Sequence, residues 1–128
     1  MEINHVAVWA TDIEALKNFY VSYFGATASP CYHNHVKNFT SYFLKFPGGS
    51  TRLEIMNVPE IIDHEESGKF KGLCHIAISV GSKEKVDKLT ENMRATGVAV
   101  LGNPRHTGDG MYESVISDPE GNLVELTV

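Results

Sequence analysis

Four residues in this sequence have the types and spacing to do chemistry together: His5, Glu54, His75 and Glu125. His5 lies in INHVAVW (3–9) and His75 in LCHIAIS (73–79), an offset of 70 that also places Ala7 on Ala77 and Val8 on Ile78. FPGGSTRLEI (46–55) echoes DPEGNLVEL (118–126), aligning Pro47 with Pro119, Gly49 with Gly121 and, after a one-residue slip, Glu54 with Glu125. The separations agree, with 49 positions from His5 to Glu54 and 50 from His75 to Glu125. Two imidazoles and two carboxylates suit a borderline or hard divalent cation. At a five- or six-coordinate ion they leave positions for water or for a substrate chelating through two oxygens, which is Lewis-acid chemistry. Taken singly, each His reads as a hydrogen-bonded strand residue and each Glu as a solvated one. Their recurrence at matching positions of a repeat favours the ligand reading.

The elements that must position these groups repeat as well. Each half reads as strand, helix, then three strands, and the two halves should form packed modules sharing one core. Residues 3–9 alternate with a strand period, so His5, Ala7 and Trp9 share one face while Val6 and Val8 share the other. The strand at 73–80 likewise puts His75, Ala77 and Ser79 opposite Cys74, Ile76, Ile78 and Val80. Around the carboxylates, Arg52, Glu54 and Met56 oppose Leu53 and Ile55, and Leu123, Glu125 and Thr127 oppose Val124 and Leu126. The wholly apolar faces call for helices; the mixed faces each carry one His or one Glu.

Thr11 and Glu14 have the spacing of a capping box, Ile13, Leu16, Phe19, Tyr20, Tyr23 and Phe24 recur at helical intervals, and Gly25 is the stop. Strands are expected near 26–33, 38–46 and 51–57, with Pro47-Gly48-Gly49 as a turn. In the second half Ser82 is the expected N-cap, Val86, Leu89 and Met93 the apolar stripe, and Gly97 the end of the helix. Strands should follow near 98–105, 111–117 and 122–127. The organisation is therefore one domain over 1–128, with a first module over about 1–58, a connector over 59–72 and a second module over 73–128. The connector, with Pro59, Asp63, Glu65 and Glu66, reads as a short helix or loop and His64 within it as exposed.

Composition excludes several function classes. The 128 residues carry 11 basic and 16 acidic side chains, a net charge of −5 with neutral His, and no Lys/Arg cluster that would neutralise a phosphate backbone. No run approaches the ~20 apolar residues of a membrane span, and MEINHVAV enters a strand pattern at once, so no signal peptide is expected. Cys31 and Cys74 lie far apart, without a C-x-x-C pair and off the mixed strand faces, which points to a reducing, cytoplasmic setting and not to a disulfide framework or a thiolate zinc site.

Over essentially its whole length the sequence resembles the vicinal oxygen chelate superfamily, the glyoxalase I, bleomycin-resistance and dioxygenase fold. INHVAVWATDIEALKNFYVSYFGA, RLEIM, LCHIAISV and GDGMYESVISDPEGNLVEL carry the resemblance. It implies an α+β fold in which two βαβββ modules form an open eight-stranded mixed sheet, a half-barrel, around a metal cleft. It also implies that His5, Glu54, His75 and Glu125 are metal ligands, the His/Glu/His/Glu set typical of glyoxalase I. Drug-sequestering relatives lack such ligands, fosfomycin-modifying enzymes and extradiol dioxygenases use two His and one Glu, and methylmalonyl-CoA epimerases usually have Gln at the position of Glu54. The implied activity is that of a metal-dependent, lactoylglutathione lyase-like isomerase. It converts the hemithioacetal of a 2-oxoaldehyde and a thiol into a 2-hydroxyacyl thioester through an enediolate. Glu125 is the expected base and Glu54 the symmetric candidate; Zn, Ni or Co is the expected ion, with Mn or Fe as alternatives. The alternatives are another metal-dependent enzyme of the superfamily (an epimerase, dioxygenase or thiol transferase) or a non-catalytic small-molecule-binding, resistance-type protein. A homodimer is expected, with the site formed either within one chain or across two.

Glutathione-using relatives have an Arg where this sequence has Trp9 and an Asn where it has Val58, with Asn57 one position early. The thiol is therefore left open. Trp9 could line an apolar pocket, and Arg52, on the Glu54 face, could hold an anionic group. Asn57, Arg105 and Met111 complete the candidate substrate contacts. His106 precedes Thr107-Gly108-Asp109-Gly110, whose two glycines allow a mobile loop at the cleft mouth but read sooner as a plain hairpin loop, and His33 and His35 sit in an expected polar turn.

Overall fold

Among the described residues, β-branched and aromatic residues in alternation build nine strand segments, and two amphipathic stretches build the helices. The computed structural model describes residues 1–62 and 71–128, and the expectations for Asp63, His64, Glu65 and Glu66 lie outside them. The chain divides into two compact units, Met1–Glu66 and Ser67–Val128. The first contains β1 (His5–Trp9), α1 (Ile13–Phe24), β2 (Thr27–Ala28), β3 (Tyr32–Asn34), β4 (Phe39–Lys45) and β5 (Arg52–Asn57). The second contains β6 (His75–Ser79), α2 (Lys83–Ala95), β7 (Val100–His106), β8 (Tyr112–Ser117) and β9 (Leu123–Thr127). The class is α+β; the second unit has the βαβββ order, and the first has the same order with its second strand split into β2 and β3. The strands form two open sheets that do not close into a barrel, a five-stranded one ordered β1-β5-β4-β2 with β3 also on β4, and a four-stranded one ordered β6-β9-β8-β7. In each unit the first strand runs parallel to the last, and the remaining neighbours are antiparallel.

The helix of each unit covers the apolar face of its own sheet. In the first unit Leu16, Phe19 and Tyr20 of α1 are buried, as are Leu44, Leu53 and Ile55 of the sheet, and α1 lies against β2, β4 and β5. Each such aliphatic or aromatic side chain contributes about 1.5–3 kcal/mol. Helix α1 starts one residue later than the Thr11 box predicts. Asp12 is the N-cap and its Oδ1 accepts from Ala15 N at 2.9 Å. Glu14 is turned away from that role. It accepts from Lys17 and from the Tyr42 hydroxyl (2.5 Å), tying α1 to β4. These donors hold the Glu14 carboxyl below its ordinary pKa, and the carboxylate in turn raises that of Tyr42. The tie therefore adds stability above the ordinary Glu range and loses it as pH falls through the lowered value. The effect is small because Glu14 is more than half exposed and screened by solvent.

Pro30 divides the strand expected over 26–33. It has no N–H for the ladder, and around it Ser29 takes over, its N–H donating to Phe43 O (2.8 Å) and its Oγ accepting from Phe43 N (3.0 Å). The one-residue slip of the repeat lies in the last turn. Pro47 and Gly48 (φ 74°) form a turn closed by Gly49 N to Phe46 O (3.2 Å), and two residues then lead to Arg52; after Gly121 only Asn122 precedes Leu123. Here Asp118 builds the turn, its Oδ1 accepting from Glu120 N (3.0 Å) and Asn122 N (2.9 Å).

In the second unit Val86 and Met93 are buried as expected, but Thr90, not Leu89, completes the stripe. Its Oγ1 donates to Val86 O (2.7 Å) and lies 2.6 Å from Ser114 Oγ, both residues being fully buried. Thr90→Val keeps the shape and strands the Ser114 hydroxyl. It is expected to cost about 1–3 kcal/mol in urea unfolding, with the Thr90→Val/Ser114→Ala double variant losing less than the sum of the two single changes.

Candidate metal centre

The parallel pairing of first and last strands is what brings each His to its Glu. In the first unit β1 pairs with β5 so that His5 faces Arg52 and Ala7 faces Glu54. In the second, β6 pairs with β9 so that His75 faces Leu123 and Ala77 faces Glu125. The Glu is thus two residues diagonal from the His in both units, across a small Ala that leaves room between them. His5 Nε2 lies 3.7 Å from Glu54 Oε2, and His75 Nε2 lies 3.3 Å from Glu125 Oε2. In both pairs the imidazole is 41 % exposed and the carboxylate 15 % or 19 %, so each pair sits on an accessible part of its sheet face.

The 3.3 Å separation matches two ligands of one ion, and the 3.7 Å separation lies just beyond that spacing. Bonds of about 2.1 Å meeting at roughly 90–120° put the two donor atoms about 3.0–3.6 Å apart. Among the described residues of each unit no third His, Cys, Asp or Glu joins the pair, so one unit alone offers two donors. Cys31 and Cys74 are free and exposed.

The other candidate residues divide between the site face and structural duties. Trp9 lies on the His5 face, 51 % exposed, edge-on to Phe39 (6.4 Å), which in turn meets Tyr32 (6.1 Å). An aromatic wall therefore stands two residues from Ala7. Arg52 shares the Glu54 face, but Asn4 Oδ1 takes its Nη2 at 2.6 Å and its guanidinium lies 4.5 Å from the centre of the Phe43 ring. Asn57 has the parity of the buried Leu53 and Ile55. Its amide donates to Ala10 O (2.8 Å) and Thr11 O (3.3 Å), closing the link from β1 to α1. Arg105 pairs with Glu113 across β7 and β8 at 3.1 Å. Met111 is exposed beside the 107–110 loop, a hydrogen-bonded hairpin connection between β7 and β8: Thr107 N donates to Met111 O (2.9 Å), Gly110 N to Thr107 O (3.0 Å), and the Thr107 hydroxyl to Asp109. His106 and His33 lie in strands, not in turns. His106 Nε2 is 3.0 Å from Lys83 Nζ, His33 Nδ1 is 2.9 Å from Thr40 Oγ1, and the His33 and His35 rings are 4.3 Å apart.

Two residues near the first pair have no signature in the sequence. Asn4 Oδ1 is 3.0 Å from His5 Nδ1, and Phe43 meets the His5 ring edge-on at 5.4 Å. Only the β4–β5 register, which sets Phe43 opposite Glu54, could have placed the second of them.

A repeated βαβββ unit that crosses its first and last strands to set a His beside a Glu defines a two-module protein with paired donor sites. The chain belongs to the Glyoxalase/Bleomycin resistance protein/Dioxygenase superfamily, whose family model matches residues 2–126. Members generally use a divalent metal ion. A glyoxalase family protein from Enterococcus faecalis superposes with a TM-score of 0.81 at 30 % identity, covering 99 % of this chain and 97 % of that one. Glyoxalase I from Zea mays gives 0.79 at 22 % identity, covering 98 % of this chain and 44 % of that one, a likeness of fold. The Bacillus subtilis protein YqjT, itself uncharacterized, is 43 % identical over 58 residues, a stretch that spans 43 % of this chain and 45 % of that protein. Among the described residues no helix is long and apolar enough to cross a membrane.

Proposed function

We propose that His5, Glu54, His75 and Glu125 together hold one divalent ion, Zn, Ni or Co ahead of Mn or Fe. The protein is then a glyoxalase I-like lyase acting on the hemithioacetal of a 2-oxoaldehyde and a thiol. The observation that carries this reading is the identical diagonal placement of a His and a Glu in both units, with donor separations of 3.7 and 3.3 Å. Each unit supplies half of a four-donor set. A homodimer is the expected assembly, with the two halves meeting either within one chain or as one module from each chain.

The ion, when bound, supplies Lewis-acid polarisation of the two adjacent substrate oxygens. Glu125 removes the proton from the carbon bearing sulfur and returns it to the neighbouring carbon, giving the 2-hydroxyacyl thioester; Glu54 is the symmetry-related candidate. Trp9 offers apolar surface to the oxoaldehyde substituent. With Trp9 and Val58 where glutathione-using relatives have Arg and Asn, the choice of thiol stays open between glutathione and another.

Methylglyoxal mixed with each of several thiols, assayed with Zn, Ni, Co, Mn and Fe forms, tests this directly. Thioester formation is expected with at least one thiol, at a rate that falls when the ion is chelated. Inactivity of every form with every thiol overturns the isomerase reading.

A further inference from the structure

A histidine binds a metal through Nε2 only if that nitrogen carries no proton, and the partner of the other ring nitrogen decides which tautomer is present. His5 Nδ1 lies 3.0 Å from Asn4 Oδ1, and Arg52 Nη2 donates to the same oxygen at 2.6 Å. A guanidinium has donors only, so it is the oxygen of Asn4, not the amide nitrogen, that must face it. That oxygen can only accept. Nδ1 of the neutral His5 ring must therefore carry the proton, which leaves the lone pair on Nε2, the atom nearest Glu54. Arg52 is itself held against the Phe43 ring, and its backbone N–H donates to Asn4 O at 3.1 Å.

We infer that Arg52 and Asn4 are positioning residues that fix His5 in the Nδ1–H tautomer before any ion arrives, so that the first unit carries a preset donor and the second does not. The repeat supplies the contrast. Cys74 stands where Asn4 does and Leu123 where Arg52 does, and among the described residues His75 makes one polar contact, with Glu125. Neither a carbonyl acceptor nor a guanidinium is available at those two positions. Arg52 thus acts on the site through Asn4 and not by meeting an anion first. The consequence for metal affinity rests on the ligand set proposed above; the tautomer does not.

Nitrogen NMR of metal-free, histidine-labelled protein, above the imidazole titration range, reads the tautomer of both rings. His5 is expected as Nδ1–H in the wild type and in Asn4→Asp, which retains an acceptor. Asn4→Ala and Arg52→Met should move it toward the Nε2–H form that free imidazoles favour, with the His75 signals unchanged in each. Divalent-ion affinity should fall about 10–100-fold in Asn4→Ala and recover in Asn4→Asp. A wild-type His5 in the Nε2–H form, or a His5 unaffected in both Asn4→Ala and Arg52→Met, overturns the inference. If the wild type shows Nδ1–H yet binds no ion, the relay stands and the metal-centre reading fails.

Discussion

Replacing Glu125 by Gln is expected to lower hemithioacetal turnover by about 10²–10⁴-fold, the range associated with a positioned general base. The substitution changes almost nothing else. Gln has the shape of Glu, the site lies mid-strand on β9, and the helix-facing Val124 and Leu126 on either side remain in the core. An amide oxygen still offers the ion a lone pair but cannot hold and return a proton. The loss should therefore fall on kcat, with the melting temperature preserved. Glu54→Gln is the matched control, since Glu54 occupies the same register position in the first unit. If Glu125 is the base, its Gln variant loses more turnover than that of Glu54 at equal metal content. Equal turnover in Glu125→Gln and wild type would remove Glu125 from the chemistry.

The features of the fold and site that are legible in the sequence are those set by period and repetition. Strand alternation separated the His and Glu faces from the helix faces, and the observed burial follows it, with Leu53 and Ile55 buried on either side of a half-buried Glu54. The repeat marked both pairs. What it could not give was which side chains meet across sequence distance. Asn57 has the parity of Leu53 and Ile55, but that its amide would reach Ala10 O and Thr11 O, 47 and 46 positions away, is set by the pairing of β1 with β5. Asn4 lies just ahead of β1, where strand parity no longer predicts direction. The Thr11 box failed because Asp12 is a competing cap one residue on, and Glu14 found a better donor pair in Lys17 and Tyr42. Leu89 lost its place to Thr90 because Ser114 satisfies the buried hydroxyl, a partner 24 positions away.

Removing either imidazole should weaken divalent-ion binding by at least about 100-fold, beyond what loss of an outer partner costs. His5→Ala and His75→Ala are expected to lose affinity alike, even though their residues belong to different units. Both His rings are 41 % exposed, so neither truncation opens a core cavity, and folding should survive. A dimer with sites shared between chains makes a sharper prediction. When the two variants are unfolded together and refolded, a mixed dimer has one site with both imidazoles intact, so about a quarter of wild-type activity should return from two inactive proteins. No recovery would place each site within a single chain.

The central claim is that two half-sites make one metal centre, and counting ions bound per chain at saturation tests it most directly. Titration of metal-free protein with Zn, Ni or Co should saturate at one ion per chain. Two ions per chain, one for each His–Glu pair, or none with any of these metals, would contradict it.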